Sequence, residues 1–146
     1  MSIQNQLVDA MKAAMRSRES LRLNTIRMAR TALKNAEIEA RQELDDAAAI
    51  KILSTLVKQR REAAEAYRET RPELAEKEEL ELVILQEFLP AQLSESEIEE
   101  LVIKAIAESG ASSMKDMGQV MKLVALQTTG RADGKAVSDL VRKKLS

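Results

Sequence analysis

The stretch "PELAEKEELELVILQEFLPAQLSESEIEE", residues 72–100, contains both prolines of the chain, and each stands at the edge of a helical pattern, not inside one. Pro72 suits the first turn of a helix, where its missing N–H costs nothing and its fixed φ is already helical. Pro90 ends that helix, because the residue before a proline is pushed out of the α region. Shortly after it, Ser94 and Glu97 form an S-x-x-E capping box ahead of Ile98, Leu101, Val102, Ala105 and Ile106. A new amphipathic helix thus begins soon after the old one stops, with "LPAQLS" as connector. The pattern predicts an all-α chain of two subdomains: an N-terminal four-helix unit over residues 1–90 and a C-terminal three-helix bundle over 91–146.

Upstream, Ile3, Leu7, Val8, Met11 and Met15 have helical spacing behind Ser2 as N-cap, to about Ser17. A second helix is predicted from about Arg18 to Arg41, with Leu21, Met28, Ala32 and Ala36 on one side and Ile26, Ala29 and Leu33 widening the stripe. Asp45 caps a third, whose apolar face is Ile52, Leu53, Leu56, Val57, Ala63, Ala64 and Tyr67. Downstream, Gly110 is a stop signal, and Ser113 and Asp116 cap a helix carrying Met117, Val120, Met121 and Val124 inward. Asp133 then caps the last helix, with Val137, Leu140 and Val141 inward.

Composition supports helices and narrows function. The chain has 146 residues with four glycines and two prolines, too few turn residues for a sheet protein. With one tyrosine, Tyr67, and one phenylalanine, Phe88, its core must be built from aliphatic residues, methionine and alanine. No cysteine is present, which removes disulfides, thiolate nucleophiles and zinc–thiolate sites; no histidine is present, which removes the commonest general base and metal ligand. No metal or cofactor is expected. The polar start, Ser2, Gln4, Asn5 and Gln6, and the lack of any long apolar run give a cytoplasmic expectation with no membrane association.

Charge is unevenly placed although the formal net is -1. Residues 12–34 carry seven bases against Glu19 alone, a net of +6, and residues 110–146 carry seven against three acids, a net of +4. Residues 62–100 offset both, at -10. On a helical wheel Arg27, Arg30 and Lys34 form one outward ridge, Lys115 and Lys122 bracket Gln119 on another, and Lys135 and Arg142 lie on a third. Any single stripe reads as a solvated face. Three together make an anionic polymer a candidate partner. Three charges fall inside apolar arcs instead: Arg60 between Leu53, Leu56 and Ala64; Glu81 between Leu74, Leu85 and Phe88; and Arg22. An unpaired buried charge costs several kcal/mol, which predicts an Arg60–Glu81 ion pair shared with Arg22.

Other motifs fail on their chemistry. "GRADGKA", residues 130–136, approaches a phosphate loop but encloses one residue too few, has Ala136 where a hydroxyl should bind magnesium, and follows a helix instead of a strand. "SSMK", residues 112–115, lacks the companion motifs of a serine acyl enzyme. Glu76, Glu79 and Glu87 lack the loop of a calcium site and the E-x-x-H of a di-iron helix. Leu123 and Leu126 lie off the main stripe of their helix, open to packing or to docking a protein.

The segments "RLNTIRMARTALKNAEIE", "VKQRREAAEAYRE", "LAEKEELELVILQEFLPAQLSESEIEE" and "GASSMKDMGQVMKLVALQTTGRADGKAVSDLVRKKL" resemble, in order and over nearly the full length, the stand-alone YqeY proteins of bacteria. That family is related to the C-terminal region of the B subunit of the glutamine-dependent tRNA amidotransferase, whose tail contacts the tRNA body away from the chemistry. The resemblance implies two helical subdomains and carries Lys115, Gln119, Lys122, Arg131, Lys135, Arg142 and Lys143 over as phosphate contacts. The expected partner is tRNA or another structured RNA, or a protein such as an amidotransferase or synthetase. Kinship would also attach the label of a carbon–nitrogen ligase with glutamine as amido donor. No catalytic residue is expected here, since the chain holds no glutaminase subunit, phosphate-activating domain or ammonia tunnel.

Overall fold

A computed structural model describes residues 2–146. Regular structure among them is helical throughout: α1 (Ile3–Ser17), α2 (Ser20–Ala40), α3 (Asp46–Tyr67), α4 (Pro72–Gln86), α5 (Glu95–Ser109), a 3-10 turn (Met114–Asp116), α6 (Met117–Thr128) and α7 (Gly134–Leu145). The protein is all-α. It divides into two compact units, one ending at Pro90 and one running from Ala91 to Ser146.

In the N-terminal unit the caps set the helix starts. The Ser2 hydroxyl accepts from the Asn5 N–H at 3.1 Å, and Asp45 accepts from the Ala48 N–H at 2.8 Å. Asp46 also accepts from the Ile3 N–H at 3.1 Å, which ties the start of α1 to the start of α3. Arg18 closes α1 in the left-handed region at φ 59, its N–H bonded to Ala14 O, so α2 begins at Ser20 and not at Arg18 as the spacing predicts. α4 is likewise shorter than its apolar pattern. Beyond Gln86 the chain tightens into three-residue turns, Glu87 N–H to Ile84 O, Phe88 N–H to Leu85 O and Leu89 N–H to Gln86 O, at 3.1–3.3 Å. Pro90 forbids another α turn, and the tighter winding seats Phe88 in the core.

That core joins Ile3 and Leu7 of α1, Ile26, Ala29 and Leu33 of α2, Ala49, Leu53 and Val57 of α3, and Leu85 with Phe88 from the α4 end. The centre of α2's buried face is therefore Thr25, Ile26, Ala29 and Leu33, while Leu21, Met28 and Ala32 sit at its flanks. α2 touches α1, α3 and α4, so its buried arc is broader than one stripe. Tyr67, expected inward on α3, is 37% exposed. It is the last residue of its helix, and the turn to α4 starts beside it.

Charges inside the helix hairpin find partners. Arg60 Nε donates to Glu81 Oε2 at 2.8 Å and lies 3.5 Å from Glu78 Oε2, with only 17% of the arginine side chain and 14% of Glu81 exposed. Its guanidinium also meets Met28 Sδ of α2. Arg22, expected to share this pair, does not reach it: its Nη1 bonds Glu87 Oε2 at 2.6 Å. The reason is position along the axis. Arg22 lies in the first turn of α2 and Glu87 at the end of α4, whereas Met28, nearly two turns on, is the α2 residue level with Arg60.

In the C-terminal unit Ser94 and Glu97 complete a reciprocal capping box, and Gly110 ends α5 in the left-handed region at φ 69. Ile98, Val102, Ala105, Val120, Val124, Val137, Val141 and Leu145 form its core. Small β-branched residues dominate because three short helices leave a narrow interior. The segment after Pro90 is pinned to the α6–α7 turn: Leu93 N–H donates to Arg131 O at 2.8 Å and Gln92 Nε2 to Gly130 O at 2.9 Å.

Two stability measurements check these assignments. Arg60→Ala is expected to lower the unfolding free energy by about 2–3 kcal/mol, because it strands a mostly buried carboxylate. The double mutant with Glu81→Ala should lose less than the sum by about 1–2 kcal/mol in urea melts; strict additivity would refute a coupled pair. Gly110→Ala should cost about 1 kcal/mol, since only the left-handed backbone opposes the methyl group and nothing lies within 4 Å of it.

Candidate nucleic-acid interface

The cations of the C-terminal unit are held outward by how its acids are used. Ser113 caps the 3-10 turn, and Asp116 turns back to accept from the Ser112 N–H at 3.0 Å. Asp133 accepts from the Lys135 N–H at 3.2 Å as the cap of α7. Glu97 is engaged in its capping box. With these carboxylates committed to backbone, Lys115, Lys122, Lys135 and Lys143 are exposed and, among the described residues, have no carboxylate within 4.0 Å. Gln119 is exposed on the turn between Lys115 and Lys122.

Two other sequence candidates are placed differently. Arg142 pairs with Asp139 one turn earlier at 3.2 Å; both side chains are more than half exposed, so the pair is weak and exchangeable. Arg131 is drawn back to its own unit, its Nε donating to Ala91 O at 3.3 Å and Nη1 to Gln127 O at 3.5 Å. It holds the connector onto the α6–α7 turn, so part of its guanidinium is engaged where the four lysines are open. Its backbone carbonyl already anchors Leu93, which brings the guanidinium beside the Ala91 carbonyl. Lys144, absent from the sequence candidates, clasps α7 to Glu99 of α5 at 2.9 Å.

In the N-terminal unit Arg27, Arg30 and Lys34 are exposed on α2. Arg30 Nη1 meets Met11 Sδ of α1 at 3.1 Å. Arg22, with Glu87, and Arg60, with Glu81, are structural ion pairs and not part of this ridge.

The chain offers little else for chemistry. Among the described residues no three Asp or Glu side chains gather as a metal site. Of the acids on α4, Glu79 faces Arg68 and Glu87 faces Arg22. No helix among the described residues is long and apolar enough to cross a membrane. Leu123 packs against the C-terminal core, while Leu126 is 81% exposed beside a shallow depression of about 80 Å³ shared with Leu101 and Lys104.

Residues 4–145 match the family described as Yqey-like protein. The chain belongs to that family. Among curated relatives it is 34% identical over 139 residues to "Altered inheritance of mitochondria protein 41, mitochondrial" of Pyrenophora tritici-repentis, covering 92% of this chain and 74% of that protein. It is 36% identical over 99 residues to the protein of the same name in Eremothecium gossypii, covering 66% and 54%. The counterpart in Lachancea thermotolerans is 36% identical over 103 residues, covering 67% and 54%. The YqeY-like chain thus spans about three quarters of the first relative and just over half of the other two.

Within this YqeY-like chain the carboxylates that free the lysines are themselves perturbed. Hydrogen bonds from the Ser94 N–H and hydroxyl, aided weakly by Arg131, hold Glu97 below its ordinary value of 4.5. The hydrogen bond from Lys144, with its charge, lowers Glu99 in the same direction. A carboxylate depressed in the folded state adds stability above its unfolded pKa and loses it as pH falls through the folded one. The C-terminal unit is therefore expected to weaken on acidification from 4.5 downward. Glu97→Gln keeps a capping side chain but has no charge to titrate. Melting curves against pH should show a shallower acid loss for that variant, and an unchanged slope would rule out the cap as a contributor.

Proposed function

We propose that this YqeY-like chain is a non-catalytic module that binds tRNA or another structured RNA through its phosphate backbone. The observation that carries the reading is the set of exposed lysines without acidic partners, Lys115, Lys122, Lys135 and Lys143, in a unit where Glu97, Asp116 and Asp133 are taken up by helix caps and Glu99 by Lys144. Such lysines displace condensed counterions from a polyanion. Base stacking is not part of the proposal, because Phe88 is buried and Tyr67 is the one other aromatic side chain. The resemblance to the tail of the amidotransferase B subunit points in the same direction, and on this reading the chain escorts or docks RNA while the amidation chemistry belongs elsewhere. The proposed compartment is the cytoplasm; the relatives are named mitochondrial, so imaging of the tagged full-length protein tests that placement.

Folded tRNA at low salt is the test ligand. Replacing Lys122, Lys135 and Lys143 with glutamine is expected to weaken binding at least tenfold and to reduce the slope of log K against log salt by about 2–3. No mobility shift by wild-type protein, or an unchanged slope in the triple variant, would remove the RNA reading. A second reading, a protein adaptor for an amidotransferase or synthetase, is favoured by Leu126, at 81% the most exposed of the large apolar side chains among the described residues. Co-purification that survives nuclease and is lost in Leu126→Asp would support it.

A further inference from the structure

The α1–α2 hairpin concentrates cations more strongly than the C-terminal unit does. Lys12, Arg16 and Arg18 from the α1 side and Arg27, Arg30 and Lys34 from α2 are all exposed, and none has a carboxylate within 4.0 Å among the described residues. The single acid between residues 12 and 34, Glu19, is engaged by the Ser17 hydroxyl at 2.6 Å. Glu37, just beyond, is bent to the Leu44 N–H at 3.2 Å. Elsewhere in the unit cations do pair: Arg60 with Glu81, Arg68 with Glu79, Arg71 with Glu73 and Lys58 with Glu62, all on α3 and α4 or the turn between them. Lys51 and Lys77 are the exposed cations of α3 and α4 that also lack a partner, but they stand singly, whereas the hairpin gathers six such side chains.

Geometry makes these cations one surface. Arg27, Arg30 and Lys34 repeat about once per 5.4 Å turn along α2. Arg30 reaches across to Met11, adjacent to Lys12, so the basic rows of the two helices adjoin. Ser20, Asn24 and Thr31 continue the outward face of α2 with neutral polar groups. Like charges this close repel unless an extended anion neutralises them. A lipid surface fits poorly, because Ile3, Leu7 and Ala14 of α1 are buried in the protein, and the large apolar side chains the hairpin exposes, Met15 near the end of α1 and Ile38 near the end of α2, do not form a continuous apolar face.

We infer that the α1–α2 hairpin is a second phosphate-backbone contact for structured RNA, built by the N-terminal unit independently of the lysines on α6 and α7. This rests on the RNA-binding reading above. The full-length chain tests it with Lys12→Gln, Arg16→Gln, Arg27→Gln and Lys34→Gln combined; Arg30 is kept because it holds Met11. Since the four side chains are exposed and unpaired, thermal melting should match wild type. Should the quadruple variant fold poorly, Arg27→Gln with Lys34→Gln serves in its place. Binding of folded tRNA is expected to weaken at least tenfold with a salt slope smaller by about 2–3. The loss should multiply with that of the α6–α7 lysine variant, and exchanging each lysine and arginine for the other should restore binding. Wild-type affinity and slope in the quadruple variant, with the α6–α7 variant still impaired, would overturn the second contact and leave the RNA reading standing. Failure of wild-type protein to bind would overturn both. Unchanged RNA affinity with lost binding to phosphatidylserine vesicles would overturn it in favour of a lipid.

Discussion

A helix that reaches residue 90 has to stop there, because proline offers no N–H and excludes the α conformation at Leu89. The last turn of α4 responds by tightening, which folds Phe88 into the first core. Directly beyond Pro90 the chain is already held, Ala91 by Arg131 and Gln92 by Gly130. One constraint thus separates two small, mainly aliphatic cores.

The acids of the C-terminal unit act largely on the backbone and on one clasp. Glu97, Asp116 and Asp133 bind N–H groups at helix starts, and Glu99 binds Lys144. Helix N-termini favour negative charge, so acids settle there for reasons unrelated to any ligand. Lys115, Lys122, Lys135 and Lys143 have no carboxylate within 4.0 Å among the described residues. In the N-terminal unit most ion pairs gather on α3 and α4, while six exposed cations on α1 and α2 have none.

Much of this was legible in advance because it depends on short-range rules. The caps at Ser2, Asp45, Ser94 and Asp133, the stops at Pro90 and Gly110, and the all-helical class follow from residues within one or two turns of each other. The start of α2 and the end of α4 lie inside the limits their apolar patterns predict, since Arg18 adopts a left-handed cap that its type does not announce and α4 tightens under Pro90. A cation at helical spacing also gives no hint of which carbonyl lies within reach. Arg131 and Lys135 looked alike in sequence, yet one is tied to Ala91 and Gln127 and the other is open to solvent.

The sequence by itself determined which segments are helices, where the two modules part, and that histidine, cysteine and aromatic chemistry are excluded or nearly so. Those properties are set by local backbone preference and by composition. Only the tertiary structure decided that Arg22 belongs with Glu87 and Arg60 with Glu81, that Arg131 is a fastener, and that the cations of α1 and α2 join into one surface. Partner choice among long charged side chains depends on the axial stagger of packed helices, a quantity that no single helix carries in its own spacing.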